Sequence, residues 1–153
     1  MAKISSGILL YRHHSSSIEI LLVHPGGPFF AKKDEGSWTI PKGELIDDED
    51  PLSAAIREFE EETGYKPAGD FIALPSIKQK GGKVVQCWAV EGDLDPLAIV
   101  SNTFEMEWPP HSGKKKSFPE VDKAAWFSVP AARLKINERQ VDFIDKLLEV
   151  IPS

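Results

Sequence analysis

The stretch that most constrains the fold of this chain is residues 43–65, GELIDDEDPLSAAIREFEEETGY, which carries nine acidic residues and a single arginine. Asp50 followed by Pro51 is a strong helix start, because Asp caps free N–H groups and Pro suits the first turn. Gly64 suits the C-terminal cap, where the backbone turns left-handed. The sequence therefore predicts a helix over about 52–63 inside this acidic segment.

The predicted helix has two different faces. At about 100° per residue its apolar side chains form one stripe, and three glutamates at i, i+3 and i+4 lie side by side on another face. The apolar stripe consists of Leu52, Ala55, Ile56 and Phe59, and the acidic face consists of Glu58, Glu61 and Glu62. Glu60 points elsewhere and is predicted to be solvated.

Neighbouring carboxylates destabilise a free helix, each close pair by about 0.2–0.5 kcal/mol. Arg57 offsets part of this repulsion, since a guanidinium can bridge two carboxylates. A divalent cation would offset more, and hard oxygen ligands suit Mg²⁺ or Mn²⁺. Taken alone, such a triplet is more often an exposed, solvated helix face, because Glu is a good helix former. The triplet by itself leaves both interpretations open.

Apolar, β-prone runs alternate with turn residues along the rest of the chain, which contains no internal repeat and no linker-like stretch. The order of elements indicates an α/β fold, a mixed sheet with helices packed on its faces. At 153 residues the chain is expected to form a single domain over 1–153. The predicted strands are 4–12, 17–24, 38–40, 71–78, 84–90, 99–108 and 124–128, with a loop at 109–117, a helical turn at 131–134 and an amphipathic helix at 137–150.

Composition limits the classes of function. A hydrophobic share of 41% with 27% charged residues is typical of a globular chain. The net charge of -6 argues against stable nucleic-acid binding, which needs a basic surface. No apolar run approaches the roughly 18 residues of a membrane helix, and the first residues do not resemble a leader peptide. Lone Cys87 cannot form an internal disulfide, so a cytoplasmic location without membrane attachment is expected.

The whole acidic segment is more specific than its three glutamates. Gly43, five residues, Glu49, seven residues and then REFEEETGY match the pattern G-x5-E-x7-R-E-U-x-E-E-x-G-U at every defining position, where U is an apolar or aromatic residue. A chance match has a probability of about one in a billion per starting position. This pattern is the Nudix box, and the chain is identified by resemblance as a Nudix hydrolase. Residues 104–127 also resemble those of bacterial nucleoside triphosphate pyrophosphohydrolases.

The resemblance implies an α/β/α sandwich that hydrolyses a nucleoside diphosphate linked to another moiety, with Mg²⁺ or Mn²⁺ as cofactor. It implies that Glu58 and Glu62 bind the metal directly and that Glu61 binds it directly or through water. The carbonyl of Gly43 is a further expected ligand. Arg57, Glu49 and Gly64 match positions that hold the loop and helix of the site in place. Members of this family are often dimers, so the resemblance leaves a homodimer open.

A carboxylate from the second half of the chain often completes such a site, and Glu120 is the best match. It is expected to act as a ligand or a general base, although an exposed loop glutamate is the alternative. The metal would stabilise charge on the phosphates, and Glu61 or Glu120 would accept a proton from the attacking water.

The substrate is less constrained than the site. Lys42 and the late-loop residues Lys114 and Lys115 are candidates for phosphate contacts, with a solvated charge run as the alternative for the late lysines. Trp108, beside Pro109-Pro110, is the candidate for stacking on a base. The run WTIPKG at 38–43 resembles dinucleoside polyphosphate hydrolases, so nucleoside triphosphates or dinucleoside polyphosphates are the first choice. The alternatives are a nucleotide sugar, a diphosphoinositol polyphosphate, or a nucleotide sensor without catalysis.

Overall fold

A computed structural model describes residues 3–151 and gives eight strands and three α-helices there. The expectations for Met1 and Ala2 lie outside the described residues. The strands are β1 (Ile4–His14), β2 (Ser17–Pro25), β3 (Lys42–Glu44), β4 (Ile72–Lys78), β5 (Val84–Glu91), β6 (Thr103–Glu107), β7 (Lys115–Pro119) and β8 (Val121–Ser128). The helices are α1 (Pro51–Thr63), α2 (Val129–Lys135) and α3 (Val141–Val150).

The main sheet has the strand order β4-β5-β1-β2-β8, with β3 paired to the first part of β1. The β1 and β5 strands run parallel, and the other pairs are antiparallel, so the sheet is mixed as predicted. The two serines between β1 and β2 have positive φ angles, 49° at Ser15 and 68° at Ser16. This is the conformation of a tight two-residue hairpin turn, and it places His14 opposite Ser17.

Helices cover both faces of this sheet because successive strand residues point to opposite faces. On β1, Ile8 and Leu10 pack with Ala55 and Phe59 of α1. The intervening Leu9 packs on the other face, in a cluster that includes residues of α2 and α3 such as Ala132, Phe143 and Leu147. The predicted α/β/α sandwich is therefore confirmed.

Three strand predictions were wrong in detail. Residues 38–40 make two isolated bridges, Thr39 to Val23 and Trp38 to Ile136, and the strand begins only at Lys42. The strand predicted at 99–108 spans only Thr103–Glu107, because the chain before it is held at the end of α1: the N–H of Val100 donates to Thr63. The end of the predicted 109–117 loop belongs to β7, which forms a separate two-stranded sheet with β6.

The helix predicted over 137–150 begins with a 3-10 turn, Glu138–Gln140, before α3 starts at Val141. The side chain of Asn137 caps this turn by accepting a hydrogen bond from the N–H of Arg139 at 2.9 Å. Within residues 3–151, none of the helices is long and apolar enough to cross a membrane.

Candidate active site

The acidic helix α1 begins and ends as its sequence predicts. Asp50 accepts a hydrogen bond from the N–H of Ser53 at 3.0 Å. Gly64 has a φ of 79° and donates to the carbonyl of Glu60, which ends the helix in the left-handed conformation. Because Ala55 and Phe59 are buried against the sheet, Glu60 faces solvent, while the Glu62 side chain is buried with an exposed fraction of only 7%.

Arg57 connects the loop that precedes α1 to the helix itself. Its Nε and Nη2 atoms donate to the two carboxylate oxygens of Glu49 at 2.8 and 3.0 Å. Its Nη1 atom donates to Glu58 at 2.9 Å and to Glu61 at 3.0 Å. The Glu49 carboxylate also accepts the N–H of Ile46 at 3.1 Å. These bonds hold the loop, and they lower the pKa of the Glu49 carboxyl chiefly through Arg57.

Three carboxylates meet beside α1. One oxygen from each of Glu58, Glu62 and Glu120 lies within 4.8 Å of the others. Glu120 comes from the junction of β7 and β8, where its N–H donates to Asn102 and its carbonyl accepts from Gly26. Glu61 is not a member of this group; its carboxylate accepts a hydrogen bond from Arg57, and its charge acts on Glu58 and Glu120.

Gly43 leaves the space that one of these carboxylates occupies. A Cβ atom at Gly43 would lie 2.1 Å from the carboxyl carbon of Glu58, which is far inside van der Waals contact. The backbone of Gly43 is therefore in direct contact with the carboxylate cluster. Glycine is needed at this contact because it lacks a side chain. Its backbone conformation is not the reason, since Gly43 does not have a positive φ.

The environment of the cluster favours protonated carboxyl groups when no cation is present. Burial, followed by the charges of Glu58 and Glu120, raises the pKa of Glu62 to about 9. The pKa values of Glu58 and Glu120 are also raised, again mainly by burial. Lys42 opposes the shift at Glu62, both by its charge and through its backbone N–H. Buried anions this close together are stable only with a compensating positive charge.

Lys42 also lines a cavity of about 470 Å³, which none of the three clustered carboxylates lines. Burial lowers the pKa of its ammonium group, and the charges of Glu62, Glu44 and Glu58 act in the opposite direction. The other walls come from the segment after β2, from Gln79, and from the start of the 3-10 turn with Asn137 and Gln140. The volume is in the range of small-molecule sites.

The other predicted substrate contacts lie elsewhere. Trp108 packs edge-to-face on Phe29 with 5.5 Å between ring centroids, and it does not line the cavity. Lys114 and Lys115 are exposed beside the turn of the β6–β7 hairpin, where Lys115 pairs with Glu107. Asn137 and Gln140 also line the cavity, although the sequence did not indicate them as site residues. They are nearly 100 residues away from Lys42 along the chain, and the only local signal was their position at the start of a helix.

The sequence matches the model of the NUDIX domain family over residues 1–147. Among curated proteins, Nudix hydrolase 25 of Arabidopsis thaliana is 59% identical over 41 residues, which are 27% of this chain and 23% of that protein. The mRNA-decapping protein g5R of African swine fever virus is 50% identical over 42 residues, 28% of this chain and 17% of that protein. These matches span less than a quarter of the curated relatives' own lengths.

Solved structures have the same fold at low sequence identity. The Ap4A hydrolase of C. elegans, in a binary complex, superposes with a TM-score of 0.65 and 22% identity, covering 95% of this chain and 96% of that one. The NUDIX domain of Shewanella oneidensis NrtR, complexed with ADP ribose, has a TM-score of 0.65 and 16% identity, covering 97% and 88%. With the family match over nearly the whole chain, the predicted resemblance is confirmed: this chain belongs to the Nudix hydrolase family.

Proposed function

We propose that this chain hydrolyses a phosphoanhydride bond in nucleoside diphosphates linked to a further group. The observation that carries the proposal is the position of Lys42, which lines a cavity of small-molecule size and whose charge acts on Glu62, a member of the carboxylate cluster. A base and ribose in the cavity would direct their phosphates past the Lys42 ammonium toward the carboxylates.

The carboxylate cluster fits a divalent metal of the Mg²⁺ or Mn²⁺ type. Its donors are hard oxygen atoms, and the raised pKa values indicate that the buried anions lack full charge compensation. Glu58 and Glu62 would hold the ion, with Glu120 and the carbonyl of Gly43 beside them and Glu61 as a further candidate ligand. Such an ion, when bound, would neutralise phosphate oxygens and favour deprotonation of water.

The residues of the chain have distinct roles in the proposed reaction. Lys42 binds phosphate oxygens as their negative charge increases in the transition state. The oxygen of a water molecule forms a bond to phosphorus in line with the bridging oxygen, whose bond to phosphorus breaks. Glu120 is the first candidate to accept the proton of that water, because a hydrogen bond from Arg57 holds the alternative, Glu61.

Nucleoside triphosphates and dinucleoside polyphosphates are the substrates to test first. The solved relatives support this choice, since one is an Ap4A hydrolase and another is complexed with ADP ribose. We expect products to form from at least one member of a panel of nucleoside triphosphates, dinucleoside polyphosphates, ADP ribose and nucleotide sugars in the presence of Mg²⁺, with mass spectrometry to identify them. No turnover on any member would contradict the proposal and favour a nucleotide sensor.

The glutamates of α1 provide a matched test of the site. Glu62→Gln removes a buried carboxylate of the cluster, and we expect turnover to fall by about 10³-fold or more, as for loss of a group that stabilises transition-state charge. Glu60→Gln changes an exposed glutamate of the same helix and should leave turnover unchanged. Circular dichroism would verify that both variants fold. Normal turnover in folded Glu62→Gln would reject the assignment of the cluster.

A further inference from the structure

Two buried polar atoms on the main sheet have no hydrogen-bond partner among the residues that the structure describes. They are the hydroxyl oxygen of Ser6 on β1 and the side-chain amide oxygen of Gln86 on β5. Ser6 is fully buried, with an exposed fraction of 0%. A buried polar group that stays unpaired lowers the stability of the fold, so an unpaired hydroxyl at this position calls for a functional explanation.

The pairing of the strands shows which way the Ser6 side chain points. Ser6 lies opposite Gly43 in the antiparallel β1–β3 pair and beside Gln86 in the parallel β1–β5 pair. Directly paired residues point to the same face of a sheet, with Cβ atoms about 4.5–5.5 Å apart in an antiparallel pair. The alternate residues Ile8 and Leu10 of β1 pack with α1, so Ser6 faces α1 as well.

The Glu58 carboxylate lies on this face, directly beside Ser6. Both of its oxygens overlap the position that a Cβ of Gly43 would take, and Gly43 is the residue paired with Ser6. Arg57 donates to one of these oxygens, Oε1, at 2.9 Å. Arg57 belongs to the helix and Ser6 to the sheet, so the hydroxyl offers a second donor from a different element.

The chemistry of the neighbouring groups favours Glu58 as the acceptor of the Ser6 proton. A serine hydroxyl has one proton to donate, and both the Gln86 amide oxygen and an ionised carboxylate accept. A hydrogen bond to an ionised acceptor is about twice as strong as one between neutral groups. A group that donates to a metal-binding carboxylate also fixes the orientation of that ligand and strengthens metal binding.

We propose that Ser6 is a positioning residue for the metal site: its hydroxyl donates to the Glu58 carboxylate and fixes the orientation in which Glu58 binds the ion. The proposal rests on the proposed function, which assigns Glu58 as a metal ligand. The hydroxyl reaches the carboxylate by rotation about the Cα–Cβ bond of Ser6, which has three staggered positions. Ser6 acts through Glu58 and does not contact the substrate.

The test removes the hydroxyl and then restores it. Ser6→Ala deletes the donor, Ser6→Cys replaces it with a weak donor of similar shape, and Ser6→Thr keeps a hydroxyl on a residue that suits a strand. Ser5→Ala is the matched control, because Ser5 is the adjacent buried serine of β1 and points to the opposite face. Gln86→Met removes the competing acceptor.

Two quantities are measured for each protein, both without nucleotide. One is the Kd of Mn²⁺ by calorimetry, and the other is the melting temperature in EDTA. We expect Ser6→Ala to weaken Mn²⁺ binding by about 10–100-fold, the range for loss of a group that orients a metal ligand. Its melting temperature in EDTA should equal or exceed that of the wild type, because the change removes an unpaired buried hydroxyl.

The other variants locate the effect. Ser6→Thr, Ser5→Ala and Gln86→Met should bind Mn²⁺ as the wild type does, and Ser6→Cys should resemble Ser6→Ala, which keeps the test available if one of these two does not fold. A role in packing alone would instead lower the melting temperature in EDTA together with the affinity. That result would overturn the proposal.

Several results would contradict the assignment of the hydroxyl. They are wild-type Mn²⁺ affinity in folded Ser6→Ala, an equal loss in Ser5→Ala, and absence of Mn²⁺ binding by the wild-type protein. A loss in Gln86→Met as large as that in Ser6→Ala would assign the Ser6 proton to Gln86 and also overturn the proposal.

The outcomes separate this proposal from the proposed function. If Ser6→Ala weakens Mn²⁺ binding but no member of the nucleotide panel is hydrolysed, the positioning role stands and the proposed reaction fails. If the panel yields products while Ser6→Ala keeps the Mn²⁺ affinity of the wild type, hydrolysis is established and the positioning role fails.

Discussion

At the scale of single residues, Glu120 depends most on the surrounding structure for its position. Its carboxylate reaches Glu58 and Glu62 because its backbone is held from both sides, by Asn102 and by Gly26. Asn102 in turn donates to the carbonyl of Glu61 at 2.7 Å, which connects the segment before β6 to the end of α1. Glu120 is therefore positioned through Asn102 by the end of α1, the helix that carries the other two carboxylates.

We expect Glu120→Gln to lower kcat by about 10²–10⁴-fold, the range for loss of general-base catalysis, and to weaken the dependence on Mg²⁺. The amide keeps the size of the side chain and removes its charge and its basicity. The measurement is steady-state hydrolysis across a Mg²⁺ titration. Glu105→Gln is the control, since Glu105 is an exposed residue on β6. A kcat within threefold of the wild type would exclude Glu120 from the reaction.

At the scale of elements, the loop from Gly43 to Asp50 and helix α1 form one unit around Arg57. The guanidinium joins Glu49 in the loop to Glu58 and Glu61 in the helix, and it also reaches the carbonyl of Glu44 at 3.3 Å. The Arg57 charge thereby offsets the repulsion between Glu58 and Glu61, two carboxylates that would repel each other in an isolated helix. The position of Glu58 is thus fixed from one side by Arg57 and from the other by the bare backbone of Gly43.

Gly43→Ala tests this packing. The added methyl group would overlap the Glu58 carboxylate, so the carboxylate must move away from the cluster. We expect the affinity for Mg²⁺ and kcat to fall by at least about tenfold, as when a group that orients a metal ligand is lost. The free energy of unfolding should change by less than about 2 kcal/mol, because Gly43 does not have a positive φ.

The control for Gly43→Ala is Glu44→Ala, a change at the adjacent exposed residue of the same strand. Both variants would be compared by Mg²⁺ titration of activity and by chemical denaturation. If Gly43→Ala keeps the Mg²⁺ affinity of the wild type, Glu58 does not need its present position. Equal losses in the two variants would indicate a general effect on β3 instead of displacement of Glu58.

At the scale of the whole molecule, the carboxylate cluster makes the stability of the fold depend on pH. The folded-state pKa of Glu62, about 9, lies above the ordinary value of 4.5 expected after unfolding. Between these values the folded protein binds more protons than the unfolded protein, so the free energy of unfolding decreases as the pH rises. One such group contributes at most about 1.4 kcal/mol per pH unit.

We therefore expect the melting temperature of the metal-free protein to fall between pH 5 and pH 9, by up to about 3–6 °C per pH unit for a chain of this size. Added Mg²⁺ should raise the melting temperature most at high pH, where the carboxylates are ionised. Glu62→Gln should flatten the pH profile, and Glu60→Gln should retain it. A wild-type profile that rises over this range in EDTA would contradict the shifted pKa.

Sequence alone determined helix α1, its caps and its acidic face, because these depend on residues only a few positions apart. It also determined the family, through the spacing of the residues at 43–65. It also indicated the mixed sheet through the apolar alternation of the strands. Tertiary structure decided which carboxylates meet: it brought Glu120 to Glu58 and Glu62 and turned Glu61 toward Arg57. It also placed Trp108, the predicted stacking residue, against Phe29 and brought Asn137 and Gln140 to the cavity lining. The reason is physical, since backbone pairing and core packing between distant segments place these side chains and leave no periodic pattern in the sequence.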